Sequence, residues 1–352
     1  MIGRREFLLA GLASPAWMGQ KNDTAVLLDR GFARVYRFAD GLYVTIADSR
    51  KGPQCLSNGG VIVGRSATLI VEGHFQPQGA ELELEVARMV SNAPVRGAVN
   101  THYHFDHTFG NAAYAKQGIP IIAHDRTVSL MNEKYASLKN VDKRPLVAAE
   151  EQKIARAAGA TDKAHRESDL SLFKTMMDAI DATAITVPTE TLSPFDLPRR
   201  IDLGSLTAVI EYLPGHTGAD VIVTCPDRDI VFTGDLLFYR SYPVSIDADM
   251  IAWRRTLDRF AHYDRRTRFV PGHGQVCGLE VVREQCDLFD DLHGHAEKMI
   301  RVGATPDEAE RRYVQPRRFA SFEIHAWGWS VGAAMQNYYT ALNKESKRDA
   351  RS

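Results

Sequence analysis

Thr101-His102-Tyr103-His104-Phe105-Asp106-His107-Thr108-Phe109-Gly110-Asn111 decides how this chain is read. Three histidines and an aspartate fall within six residues, directly after the apolar run Val95–Val99. With 12 histidines in the chain, chance assembly of His-x-His-x-Asp-His has a probability on the order of 10⁻³ or less. In an extended segment leaving a strand, side chains repeat every two residues, so His102 and His104 project to one side. Asp106 and His107 then come from the turn beyond, and one segment reaches two ions. Imidazole nitrogen and carboxylate oxygen are the donors that zinc accepts, and a catalytic site keeps a position open for water.

Working outward, three more donors stand in matching contexts. His216 lies in Leu213-Pro214-Gly215-His216-Thr217-Gly218, Asp235 in Phe232-Thr233-Gly234-Asp235-Leu236, and His273 in Val270-Pro271-Gly272-His273-Gly274. Each reads as strand, glycine, ligand, and glycine lets a backbone turn sharply while bringing a side chain close to an ion. Without a metal, histidines and acids sharing one pocket would repel one another or lie unsatisfied, so metal is the simpler account of the seven-residue set. His74, His124, His165, His262, His293, His295 and His325 read instead as ordinary hydrogen-bonded residues. Tyr239, Arg240 and Tyr242 follow Asp235 closely enough to meet a substrate, whereas Trp327 and Trp329 read as core packing before a lid.

Together these motifs resemble the metallo-β-lactamase-fold hydrolase superfamily over about residues 30–280. The resemblance implies an α/β fold, an αββα sandwich, with a dinuclear zinc site at one edge. It implies that His102, His104 and His216 hold the first metal, that Asp106, His107 and His273 hold the second, and that Asp235 bridges both. Two departures stand out. Glu72-Gly73-His74 replaces the usual Asp-x-Gly, which makes that orienting carboxylate one methylene longer. Between His107 and His216 the chain also inserts about fifty residues, which are expected to cover or shape the pocket.

The reaction implied is hydrolysis of a carbonyl substrate: a thioester, ester, lactone or lactam. Two cations sharing a water lower its pKa from about 15.7 toward about 7, so a bridging hydroxide forms at neutral pH. Asp106 would orient it, and removing Asp235 should weaken the second ion most. Redox di-iron relatives carry glutamate at the position of His104, and dedicated class B β-lactamases carry Cys or Ser at that of Asp235. The strings around Asp106 and Asp235 resemble glyoxalase II, while the final Pro-Gly-His-Gly and carboxy-terminal helices resemble exported hydrolases associated with quinoprotein and sulfur-oxidation systems. A mononuclear iron persulfide-type dioxygenase, class B β-lactamase-like activity, phosphodiester cleavage and a non-catalytic metal-stabilised binding protein are the alternatives. Iron or manganese is the alternative to zinc.

The chain as a whole agrees with an enzyme acting on a small molecule. At about 150 residues per domain, 352 residues correspond to about two domains, although one large α/β domain of this length is also ordinary. With 44% hydrophobic and 25% charged residues the chain is globular. A net charge of -1 lacks the attraction to phosphate that non-specific nucleic-acid binding requires. Residues 1–27 read as a twin-arginine export signal, Arg4-Arg5 before an apolar stretch, with a disordered lead-in. They direct the protein to the periplasm or outside the cell, or leave it cytoplasmic if the signal does not function. Residues 28–280 are expected to form the catalytic domain, with a helical insertion at about 125–195, and residues 281–352 a helical extension. No segment reaches the roughly 20 apolar residues of a membrane span. Four cysteines are too few for a disulfide framework, although export would permit a bridge such as Cys277 to Cys286.

Overall fold

The computed structural model describes residues 25–139, 142–155, 160–322 and 331–349. The export signal proper (residues 1–20), His325, Trp327 and Trp329 lie outside the described residues.

Short runs of β-branched and aliphatic residues build two sheets. The first has eight strands in chain order: β1 (Ala25–Asp29), β2 (Ala33–Ala39), β3 (Leu42–Ala47), β4 (Gly59–Val63), β5 (Thr68–Val71), β6 (Val95–Val99), β7 (Ile121–His124) and β8 (Glu190–Leu192). Strands β1 to β5 pair antiparallel and β5 to β8 parallel. The second sheet runs β13-β12-β11-β10-β9, from β9 (Arg199–Asp202), β10 (Thr207–Tyr212), β11 (Val221–Cys225), β12 (Ile230–Phe238) and β13 (Arg268–His273).

Helices connect and cover these sheets: α1 (Pro77–Val90), the single turns α2 (Phe105–Thr108) and α3 (Ala112–Ala115), then α4 (Arg126–Lys139), α5 (Arg144–Ala155) and α6 (Ala160–Ala182). After β12 come α7 (Met250–Ala261), α8 (Leu279–Arg301), α9 (Pro306–Arg312) and α10 (Val331–Asp349). Proline opens α1, Asp249 caps α7 by accepting from Ile251 N and Ala252 N, and Thr305 with Glu308 closes a capping box on α9.

Three cores define the layers. Leu42, Ile62, Leu69 and Val99 of the first sheet meet Ile210, Val223, Phe232 and Val270 of the second. On the outer face of the first sheet, Val61, Ile70 and Ala98 pack on Leu84, Val86 and Ala87 of α1. On the outer face of the second, Ile222, Val231 and Phe269 join Trp253, Leu257, Phe289 and Tyr338 of α7, α8 and α10. This is helix, sheet, sheet, helix, the layering expected from the sequence. The carboxy-terminal helices share one core with β12 and α7.

Residues 25–27, expected in a disordered lead-in, instead begin strand β1, and three further details refine the sequence reading. Asp235 does not follow a strand: β12 continues through it to Phe238, and its pairing with β13 shifts register between Phe232 and Gly234 and again before Phe238. The turn that carries Asp106 and His107 is a single helical turn, α2. All four cysteines are free and buried, with no bridge between Cys277 and Cys286. Where α4 to α6 fill the insertion, Met131, Tyr135, Met176 and Ile180 bury Phe75, Tyr103 and Phe109 beside the histidine loop.

Candidate metal centre

Strands β6, β12 and β13 end at the same edge, and the loop after β10 joins them there. That convergence brings together side chains from four separate segments. His102, His104, His216 and Asp235 form one group, and Asp106, His107, Asp235 and His273 another, with donor atoms in each group within 4.8 Å of one another. Asp235 belongs to both. Its Oδ2 lies 3.5 Å from His216 Nε2 and 4.0 Å from His102 Nε2, while its Oδ1 lies 3.2 Å from His107 Nε2 and 3.4 Å from His273 Nε2. Asp106 Oδ2 completes the second group at 3.4 Å from His107 Nε2 and 3.3 Å from His273 Nε2. His104 Nδ1 stands 2.9 Å from His216 Nε2. Donors sharing a zinc ion at about 2.0–2.1 Å lie up to about 4 Å apart, which these spacings match.

The donor set also fits a metal by its unmet bonds. His102 Nε2, His107 Nε2 and Asp235 Oδ1 are buried and make no hydrogen bond. Buried polar atoms are otherwise nearly always bonded, and a cation between them meets that need. His102, His107, His216 and Asp235 are sealed in the protein, whereas the side chains of His104, Asp106 and His273 are 16%, 13% and 23% exposed. The open face of the centre is therefore lined by these last three.

The two halves differ electrostatically. Burial favours the neutral ring at His102, His107, His216 and His273. At His102 and His216 it prevails, helped by neighbouring imidazoles, so that His102 falls well below its ordinary value and His216 to about 3. At His107 and His273 burial is outweighed by the carboxylates of Asp106 and Asp235, which raise His107 well above the usual range and His273 to about 9. Burial likewise pushes Asp106 and Asp235 up, but His107 and His273 more than reverse it and hold both carboxyls well below the usual range. His102 and His216 are thus neutral donors, while Asp106, His107, Asp235 and His273 form a compact charge cluster.

A surrounding layer fixes the rings, as ligating histidines require. His107 Nδ1 is 2.9 Å from Glu72 Oε2, which also accepts from Thr101 Oγ1 at 2.6 Å, while Glu72 Oε1 accepts from Thr101 N at 3.2 Å. Thr101 Oγ1 lies 3.1 Å from His102 Nδ1, so Glu72 steadies ligands of both halves. His216 Nδ1 donates to Val244 O at 3.0 Å, and the His273 ring stacks on Phe238 with centroids 5.4 Å apart. The glycines before the ligands serve different purposes. Gly234 has φ +50, whereas a Cβ on Gly215 would strike Trp253 and one on Gly272 would lie 1.8 Å from Asp235 Oδ1.

Of the residues read as facing a substrate, Tyr239 stays next to the centre: its N donates to His273 O at 3.2 Å. Arg240 is turned aside into a two-pronged pair with Glu284 at 2.8 and 2.9 Å. Tyr242 is buried, with its hydroxyl 3.1 Å from that of Tyr313, because the carboxy-terminal helices pack over it. His74 makes the bonds of an ordinary core histidine, to Ser57 O and Glu83 Oε1, both at 3.0 Å. The sequence reading missed Asp247, which lies against His104 and belongs to no motif.

A family model described as the metallo-beta-lactamase superfamily matches residues 52–273. An uncharacterized protein of Mycobacterium bovis is 36% identical over 101 residues, 26% of this chain and 45% of that protein. One of Mycobacterium leprae is 33% identical over 97 residues, 26% of this chain and 44% of that protein. The chain thus matches less than half the length of these curated relatives. Among solved structures, a stereoselective inverting sec-alkylsulfatase from Pseudomonas sp. superposes with a TM-score of 0.59 at 16% identity, covering 86% of this chain and 50% of that one. A metallo beta lactamase from Erythrobacter litoralis superposes at 0.52 with 18% identity, covering 75% and 99%. Among the described residues, no helix is long and apolar enough to cross a membrane.

Proposed function

We propose, for a chain that belongs to the metallo-beta-lactamase superfamily, that it is a binuclear zinc hydrolase of a small carbonyl substrate: a thioester, ester, lactone or lactam. The observation that carries this reading is Asp235, whose two oxygens face two separate histidine groups. His102, His104 and His216 would hold one cation, Asp106, His107 and His273 the other, and Asp235 both. The bound pair supplies Lewis acidity that polarises a carbonyl and acidifies water near neutral pH.

The chain's own residues organise the rest. Asp106, on the open face, accepts a hydrogen bond from the attacking water and aims it at the carbonyl carbon. Substrate enters past His104, Asp106 and His273, since the other donors are sealed. Tyr239, beside His273, contacts the substrate, while Arg240 is engaged by Glu284. Glu72 keeps His107 and Thr101 fixed, so the donors need little reorganisation during turnover. Export through the amino-terminal segment, after folding in the cytoplasm, would let that compartment choose the ion.

Elemental analysis of purified protein, with a panel of thioesters, lactones, a chromogenic cephalosporin and a secondary alkyl sulfate, tests the proposal. Close to two zinc ions per chain and turnover of a carbonyl substrate, lost in His104→Ala, is the expected result. Iron with oxygen consumption on a persulfide, or two ions with no turnover across the panel, would overturn it.

A further inference from the structure

His104 is held unlike its neighbours. The outward nitrogens of His102 and His107 meet Thr101 and Glu72, and that of His216 meets the backbone oxygen of Val244, in the segment between β12 and α7. His104 turns Nδ1 toward the centre, and its Nε2 lies 3.4 Å from Asp247 Oδ2, 143 residues away in the segment between β12 and α7. The same carboxylate receives two further donors. The Tyr103 hydroxyl donates to Oδ2, and the Lys134 ammonium, from helix α4 of the insertion, donates to Oδ1 at 2.6 Å. Three donors from the histidine loop and the insertion thus converge on one acid from a third segment. All of this lies at the open face, where the Asp247 and Lys134 side chains are 22% and 39% exposed.

Resting on the metal reading above, we propose that Asp247 is a positioning residue for His104, and that Lys134 couples the seating of helix α4 to the first cation. A carboxylate that accepts a hydrogen bond from one imidazole N–H fixes the tautomer, leaves the other nitrogen's lone pair for the metal, and makes it a better donor. Here that lone pair is on Nδ1. Tyr103 holds Asp247 from the residue adjacent to the ligand, so the acid cannot rotate away without losing two partners. Lys134 brings in the insertion: α4 packs on the histidine loop through Met131 and Tyr135, and its ammonium adds the tie from that helix to Asp247. The insertion is then more than a cover for the apolar side of the histidine loop. Its first helix reports on, and contributes to, the shape of the first metal position.

Competition of the full chain, stripped of metal, against a chromophoric zinc chelator tests this, together with hydrogen exchange of α4 before and after zinc is added. In the parent chain two ions should bind and α4 exchange should slow with the first. In Asp247→Ala one of the two affinities should fall by about 10- to 100-fold with the other unchanged, and α4 should no longer respond. Lys134→Met should keep both affinities within a few-fold and still lose the α4 response. Asp247→Asn, which keeps shape and one acceptor, should fall between; it also serves as the decisive variant if the alanine chain fails to fold by circular dichroism. Parent-like affinities in both Asp247 variants, or an α4 response that survives in Lys134→Met, overturn the proposal while the metal reading stands. Parent protein that takes up no zinc overturns both.

Discussion

Glu72 Oε2 stands 2.9 Å from Nδ1 of His107, and the same residue accepts from both the backbone and the hydroxyl of Thr101. The longer acid at this position therefore performs the orienting role expected of a shorter one. It does so from an uncommon backbone: Glu72 has φ +93, and His74 φ +58. Non-glycine residues there carry strain of order 1–3 kcal/mol, sustained only where the surroundings over-determine them. Here Glu72 N donates to Val99 O, and Glu72 O accepts from Tyr114.

Glu72→Gln should accordingly keep the fold but weaken the second cation by about 10- to 100-fold, because an uncharged amide oxygen facing His107 and Thr101 Oγ1 is a weaker acceptor and leaves its NH₂ opposed to the Thr101 N–H that Oε1 now accepts. Glu72→Asp should lose one of the two contacts, being a methylene shorter. Zinc stoichiometry after dialysis at defined free zinc reads both. Two tightly held ions in Glu72→Gln would show that the contact is incidental.

Glycines in this chain separate cleanly by what surrounds them. At Gly272 an added Cβ would lie 1.8 Å from Asp235 Oδ1, so Gly272→Ala must displace the carboxylate shared by the two groups. Metal uptake and activity should collapse together. At Gly294, inside α8, nothing lies within 4 Å of an added Cβ. Gly294→Ala should raise stability by about 0.5–1 kcal/mol through helix propensity alone, with turnover unchanged. Urea unfolding with parallel metal analysis distinguishes the pair, and a Gly272→Ala protein with full zinc content would contradict the geometry.

Asp220 supplies a pH dependence. It is buried in the loop that carries His216, and accepts from Thr217 N at 2.7 Å and Thr217 Oγ1 at 2.5 Å. Burial first, and the charge of Asp235 after it, lift its carboxyl from 3.8 to about 8 in the metal-free protein. The fold thus binds a proton that the unfolded chain releases. Its stabilising share is fully present below the unfolded value of 3.8 and is lost as pH rises through about 8. Metal-free protein should lose urea resistance across that window, and Asp220→Asn should flatten this part of the profile. An unaltered slope in the variant would assign the effect to other groups.

The seven donors are legible in the sequence because each is announced locally, by histidine spacing after β6 or by a glycine directly before the ligand. The layered fold is legible only through the resemblance to a known family that these motifs carry. Asp247 is not legible: no motif surrounds it, and its tie to His104 exists only because the segment before α7 folds back over the histidine loop. Tyr242 misleads for the opposite reason. Nearness in sequence to Asp235 says nothing of α8 and α10, whose packing buries it and sets its hydroxyl against Tyr313.

Trp253 ties the core to the centre more directly than any other large side chain of α7. It is fully buried, its Nε1 donates to Leu236 O at 2.9 Å, and its ring lies 5.2 Å from that of His216 and 5.0 Å from that of Phe289. Leu236 follows Asp235, so the indole braces the residues next to two ligands at once. Trp253→Ala leaves a large cavity and should cost about 3–5 kcal/mol by urea unfolding. Trp253→Phe retains most of the volume and gives up the hydrogen bond, about 1 kcal/mol, since Gln285 Nε2 still donates to Leu236 O at 3.2 Å. If the brace matters to the ligands, the phenylalanine variant should also bind its first cation more weakly at nearly parent stability. Equal zinc affinity in Trp253→Phe and the parent chain would confine the residue to the core.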